Sequence, residues 1–139
     1  MMLKHFGIAA LMLLVMCSCN SPTDPSKNTT DTLSNTVAPQ GVDIKTINVA
    51  NTGEYNIKLT QLTPGNVYIG IAWGQMTGGN CAPISTQSTL TSANVGHTVL
   101  SGAIQIKSDY CVIVFDPYAT LGITSWPVQQ TYTIEVNHP

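Results

Sequence analysis

From residue 44 onward, apolar and polar residues alternate with a period of two, in short runs separated by turn residues. Residues 54–62 read EYNIKLTQL, with Tyr55, Ile57 and Leu59 in one phase and Asn56, Lys58 and Thr60 in the other. Successive side chains of an extended chain point to opposite faces, so this pattern predicts a strand buried on one side. Further strands are predicted over 44–49, 67–73, 98–107 (where Gly102 can interrupt), 110–116 and 131–137. Asn51-Thr52-Gly53 and Thr63-Pro64-Gly65-Asn66 read as turns, since proline presets φ and glycine supplies a positive one. The Gly/Ser/Thr/Asn-rich stretch 74–96 reads as a long loop with one more strand near 88–91. No segment carries a helical period with caps. About seven short strands in some 100 residues predict an all-β fold, a small antiparallel β-sandwich.

The start of the chain has a different character. Lys4 precedes an apolar run from Phe6 to Met16, and Cys17-Ser18-Cys19-Asn20 ends it. A basic start, an apolar stretch of about 7–15 residues and a small-residue processing site form an export signal. The run is too short for a membrane helix, which needs about 20 apolar residues. A cysteine at the processing point resembles a bacterial lipoprotein signal. Ser18, a small neighbour, favours Cys19 as the lipidated residue; Leu14, three positions before Cys17, favours Cys17 as the alternative. The expected divisions are a signal peptide over 1–18, a lipidated N-terminus with linker over 19–40, and a folded domain over 41–139. The linker, rich in Ser, Thr, Asn and Pro, has too little apolar surface to offset its ordering entropy and is expected to be disordered.

Charge is sparse. The chain has five lysines, no arginine and seven carboxylates, a net charge of −2 at neutral pH. That argues against nucleic acid as a partner, because nucleic-acid binding relies on clustered Lys and Arg meeting phosphates. Two cysteines, Cys81 and Cys111, remain in the domain. In an exported chain lacking a CxxC pair they are expected to be oxidised to each other.

The order of strands carries a resemblance. Gly53-Tyr55-Ile57-Leu59, Tyr110-Val112-Val114 and Tyr132-Ile134-Val136 are similar to recurring strands of the bacterial pre-peptidase C-terminal domains, over nearly all of 42–138. The resemblance implies a small β-sandwich that accompanies secreted proteases and other exported proteins. Those relatives that bind calcium use an aspartate-rich strand after the first hairpin. Here Val67-Tyr68-Ile69-Gly70 stands in its place, so no calcium and no other cofactor or metal is expected.

Catalytic residues do not assemble convincingly. His97, Ser101 and Asp109 make a triad only on paper, without a nucleophile-elbow motif. Asp109 and Asp116 flank one predicted strand at its two ends, the wrong placement for paired carboxylates facing a cleft. Trp73 is in phase with Ile69 and Ile71 and is expected in the core. Tyr118 and Trp126 fall in a predicted loop, where binding residues concentrate, and are the candidate ligand contacts. The sequence therefore predicts a non-enzymatic, lipid-anchored module of the cell envelope, at the outer membrane or cell surface. Its expected partners are the membrane through its lipid and a glycan, cell-wall component or protein. The alternative is a structural lipoprotein assembling through sheet edges.

Overall fold

The computed structural model describes residues 27–90 and 94–139, with the backbone alone for 88–90. The signal peptide, Cys17 and Cys19 lie outside the described residues. Eight strands follow in order: β1 (Thr29–Val37), β2 (Val42–Val49), β3 (Gly53–Thr63), β4 (Tyr68–Thr77), β5 (Asn80–Leu90), β6 (Thr98–Ile104), β7 (Ser108–Phe115) and β8 (Gln130–His138). One helical turn, α1 (Tyr118–Leu121), lies between β7 and β8. They form two antiparallel sheets, β1-β8-β3-β6 and β2-β7-β4-β5, stacked as a sandwich.

The predicted alternation decides which side chains fill the space between the sheets. Tyr55, Ile57 and Leu59 of β3 and Tyr132, Ile134 and Val136 of β8 meet Ile69, Ile71 and Trp73 of β4 and Tyr110, Val112 and Val114 of β7. Each fully buried side chain of this kind contributes roughly 1.5–3 kcal/mol through burial. Trp73 is in the core as expected. It stacks on Tyr55 from the opposite sheet, with ring centroids 4.4 Å apart, and on Tyr110 at 5.1 Å.

The second sheet buries part of its outer face as well. Cys111, Ile113 and Phe115 of β7 pair with Gly74, Ala72 and Gly70 of β4 on that side. The Phe115 ring lies where a Cβ on Gly70 would come within 2.4 Å of it, so glycine leaves room for the ring. This explains the continuous apolar run in β7: one phase faces the core, the other the partly covered outer surface.

Two expectations need correction. The disordered linker over 19–40 does not extend to Val37, because Thr29–Val37 is β1 and pairs along its length with β8. Composition misled here. Leu33 and Val37 supply the little apolar contact an edge strand needs, and hydroxyls supply the rest. Ser34 is hydrogen-bonded to Thr133 and Thr36 to Thr131, each at 2.9 Å. The folded unit therefore begins well before residue 41.

The stretch 74–96 is not a long loop either. Its first part completes β4, and Gly78-Gly79 turns the chain into β5, with Thr77 opposite Asn80. Both glycines have positive φ, 57° and 82°, as a two-residue type I′ hairpin requires. The strand predicted over 98–107 ends at Ile104.

Cys81 and Cys111 form the expected disulfide, closing a separation of 30 residues with Cα atoms 6.0 Å apart. The bond joins β5 to β7, which are not neighbours, since β4 runs between them. Strands two places apart in a flat sheet would be about 9.6 Å apart. Next to the disulfide, the pairing of β5 with β4 shifts register between Trp73 and Gly74. There the carbonyl of Ala82 lies 2.5 Å from where a Gly74 Cβ would stand, and the Cys81 Sγ lies 3.0 Å from it.

Candidate functional site

The strand pairings give the sandwich two unlike ends. Val37 lies opposite Gln130, Thr63 opposite Thr131 and Val42 opposite Phe115, so the connections 38–41, 64–67 and 116–129 share one end, here called apical. Thr29 and His138 pair at the other, basal end, together with the tight turns 50–52 and 78–79.

Two buried polar side chains organise the apical connections. Asp116 is only 5 % exposed, yet its carboxylate accepts four hydrogen bonds. The donors are the backbone N–H groups of Gln40 at 3.1 Å, Tyr118 at 3.2 Å and Trp126 at 2.9 Å, and the Ser125 hydroxyl at 2.5 Å. Burial pushes the Asp116 carboxyl up, but these hydrogen bonds outweigh it and hold the group below the usual carboxylate range. Gln130 does the neutral counterpart: its Oε1 accepts from Gly65 N–H at 3.0 Å and its Nε2 donates to the Val128 carbonyl at 3.2 Å. Loops that share no sequence neighbourhood are thereby fixed to one another.

Backbone conformation at this end is also unusual. The two described non-glycine residues with positive φ, Gln40 at 60° and Asn66 at 57°, both lie in apical turns. Such conformations are uncommon outside glycine and asparagine, and they persist where surroundings impose them. Gln40 is held by its bond to Asp116.

Between the β3–β4 turn and the loop before β8 lies a cleft of about 450 Å³. Val67, Tyr68, Ile123, Trp126 and Pro127 provide its apolar wall, and Asn66, Thr124 and Ser125 its polar groups. Tyr68 is 42 % exposed and Ile123 36 %. None of these side chains is charged. The volume falls in the range of small-ligand sites, and the mixture of apolar wall and few polar groups is what such sites use.

The two residues singled out by sequence are placed differently. Trp126 lines the cleft but is 4 % exposed and belongs to the core cluster. Its indole Nε1 donates to the Tyr68 carbonyl at 2.6 Å, which locks the ring in place. It shapes the cleft rather than offering a face to a ligand. Tyr118 begins α1, half-buried, and does not line the cleft. Sequence reasoning missed Tyr68, whose in-strand position hid that the strand begins at an open end.

The paper triad is not assembled around a common point. His97 stands in the connection before β6, Ser101 on β6, and Asp109 on β7 of the other sheet, where it accepts the Asn48 amide at 2.7 Å. Asp116 ends the same strand at the apical end. Among the described residues no group of three or more His, Cys, Asp or Glu could hold a metal ion. Comparison with protein-family models and with curated proteins finds no match to the chain.

Proposed function

We propose that the chain is an exported bacterial lipoprotein, anchored through Cys19 with Cys17 as the alternative. Its sandwich is a binding module without catalysis of its own. The apical cleft receives part of a glycan, cell-wall component or partner protein. The observation that carries this reading is the position of the cleft relative to the start of β1. Nine residues separate Cys19 from Thr29, the first residue of β1. Fully extended they reach roughly 30 Å. β1 then runs from the basal to the apical end, so the cleft lies at the end of the sandwich opposite the one where β1 begins. The resemblance to pre-peptidase C-terminal domains supports an accessory role at the envelope.

Two experiments test this. Palmitate labelling in a bacterial host is expected to be lost in Cys19→Ala and kept in Cys17→Ala; labelling of neither wild type nor variants overturns the anchor. For binding, the full chain in detergent is exposed to peptidoglycan, a glycan array and solubilised envelope proteins. Retention is expected to fall in Tyr68→Ala, Ile123→Asp and to persist in Tyr118→Ala, which lies off the cleft. No retention, or retention indifferent to Tyr68 and Ile123, overturns the apical assignment.

A further inference from the structure

A second opening lies at the side of the sandwich, between the edge strands β5 and β6, well away from the apical cleft. Its volume is about 430 Å³, and its floor is the stack of Tyr55, Trp73 and Tyr110. On its rim stand Ile84 and Ile106, 65 % and 62 % exposed, the two most exposed large apolar side chains among the described residues. Ile84 owes its position to the register shift in the β4–β5 pairing. Pro83 faces Gly74 and Ser85 faces Trp73, so Ile84 has no partner and is turned outward.

Along this opening runs the free edge of β6, the last strand of its sheet. Its sequence, TVLSGAI, contains no charge and no proline. Those are the devices by which native edges are kept from pairing. Gly102, in the middle of the strand, leaves room for the Tyr55 ring at the floor: a Cβ there would lie 2.8 Å from it.

The chemistry of the opening selects its occupant. The three aromatic rings stack on one another and each is at most 5 % exposed, so no ring face is free to receive a sugar. The lining contains no charged residue; its polar groups are neutral amides and hydroxyls such as Gln75, Ser85 and Gln105. An occupant matched to it in charge is neutral. It offers an apolar side chain to the floor and backbone groups to the β6 edge. We propose that this edge and the cleft behind it bind an extended, uncharged peptide segment of a partner protein. The segment adds as a fifth strand beside β6 and places an apolar side chain between Ile84 and Ile106. Strand addition takes affinity from main-chain hydrogen bonds and specificity from pockets for alternate side chains, and both parts are present here. The site is independent of the apical cleft.

The test uses the full chain in detergent and an array of uncharged heptapeptides with apolar residues at alternate positions, beside the same peptides carrying one Asp at an apolar position. Saturable binding of the neutral peptides is expected, with loss of at least tenfold on Asp insertion. A loss of similar size is expected in Ile84→Asp, Ile106→Asp (rim) and in Ser101→Lys (edge). These positions are exposed or half-exposed, and circular dichroism checks that the variants fold. Tyr68→Ala leaves this binding unchanged. Absence of saturable binding, or binding indifferent to rim and edge variants, overturns the proposal. So does a dimer that dissociates in Ser101→Lys while no peptide binds, which would make a second copy the occupant.

Discussion

The backbone N–H of Trp126 donates to the Asp116 carboxylate at 2.9 Å, and the Trp126 indole reaches the Tyr68 carbonyl at 2.6 Å. Trp126 thus links the end of β7 to the start of β4, and the apical cleft lies between. Removing the carboxylate in Asp116→Ala leaves four donors without their acceptor. Each buried unsatisfied group costs about 1–3 kcal/mol, so a loss of about 3 kcal/mol is expected even after water reaches some of them. Thermal or urea unfolding measures it.

The same carboxylate sets a pH dependence. The Asp116 carboxyl is held below the usual carboxylate range, and so is that of Asp43, where burial is outweighed by hydrogen bonds from Tyr132 and Asn35 and by Lys45. A folded-state value below the unfolded one means that the unfolded chain takes up protons first as pH falls. The stabilisation is complete above about pH 4–5 and is lost progressively below, through the folded values. Urea midpoints measured from pH 7 down to pH 2 are expected to fall in that window. The fall is expected to be smaller in Asp116→Asn.

Tyr132 joins the sheets from the other direction. Wholly buried on β8, it donates to Asp43 of β2 at 2.5 Å. Burial and the neighbouring carboxylate push its phenol far above the ordinary tyrosine range; burial likewise raises Tyr55, opposed by its hydrogen bond with Ser85. The unfolded chain then releases these protons before the folded one does. Their stabilisation is present below about pH 10 and is lost as pH rises beyond it. In an alkaline absorbance titration of the five tyrosines, Tyr132 and Tyr55 are expected to ionise above the ordinary tyrosine range. Five early, reversible ionisations would contradict the placement of Tyr55 and Tyr132.

The disulfide and the glycine beneath it form one device. Closing a loop of 30 residues contributes about 3–4 kcal/mol by the chain-entropy model, the loss expected in Cys81→Ala, Cys111→Ala. Gly74→Ala is expected to cost about 2–3 kcal/mol, because the obstacle is the Ala82 backbone carbonyl rather than a movable side chain. Gly70→Ala meets the tip of the half-exposed Phe115 ring, which can swing away, and is expected to cost less. Chemical denaturation of the three variants checks the order; a Gly70→Ala cost above that of Gly74→Ala would contradict it.

β1 belongs to the folded unit. A chain beginning at residue 41 lacks the edge strand and exposes the backbone edge of β8. It also loses the burial of Val37, 3 % exposed in the whole sandwich. It is expected to aggregate or to unfold at lower denaturant, whereas a chain beginning at residue 27 folds cooperatively. Equal midpoints for the two would show β1 to be dispensable.

Period-two patterning carried most of the strands, because half-burial leaves its mark on every second residue: Tyr55, Ile57 and Leu59 in β3, and Tyr132, Ile134 and Val136 in β8, lie inward as the alternation requires. It also placed Trp73. β1 was illegible because an edge strand bonded through hydroxyls and backbone needs few apolar residues. The β4–β5 hairpin was announced only by Gly78-Gly79 in a stretch whose composition otherwise suggested a loop.

By itself, the sequence determined the all-β class, the inward-facing residues of its long strands and the Cys81–Cys111 pairing, since these follow from local periodicity and from counting. Tertiary structure alone decided that Trp126 is locked into the core, that Tyr68 and Ile123 face a common cleft, and that Ile84 and Ile106 frame another. Those relations depend on which distant segments meet, and that is fixed by strand order, by one bulge and by the four donors around Asp116. No local pattern in the chain records them.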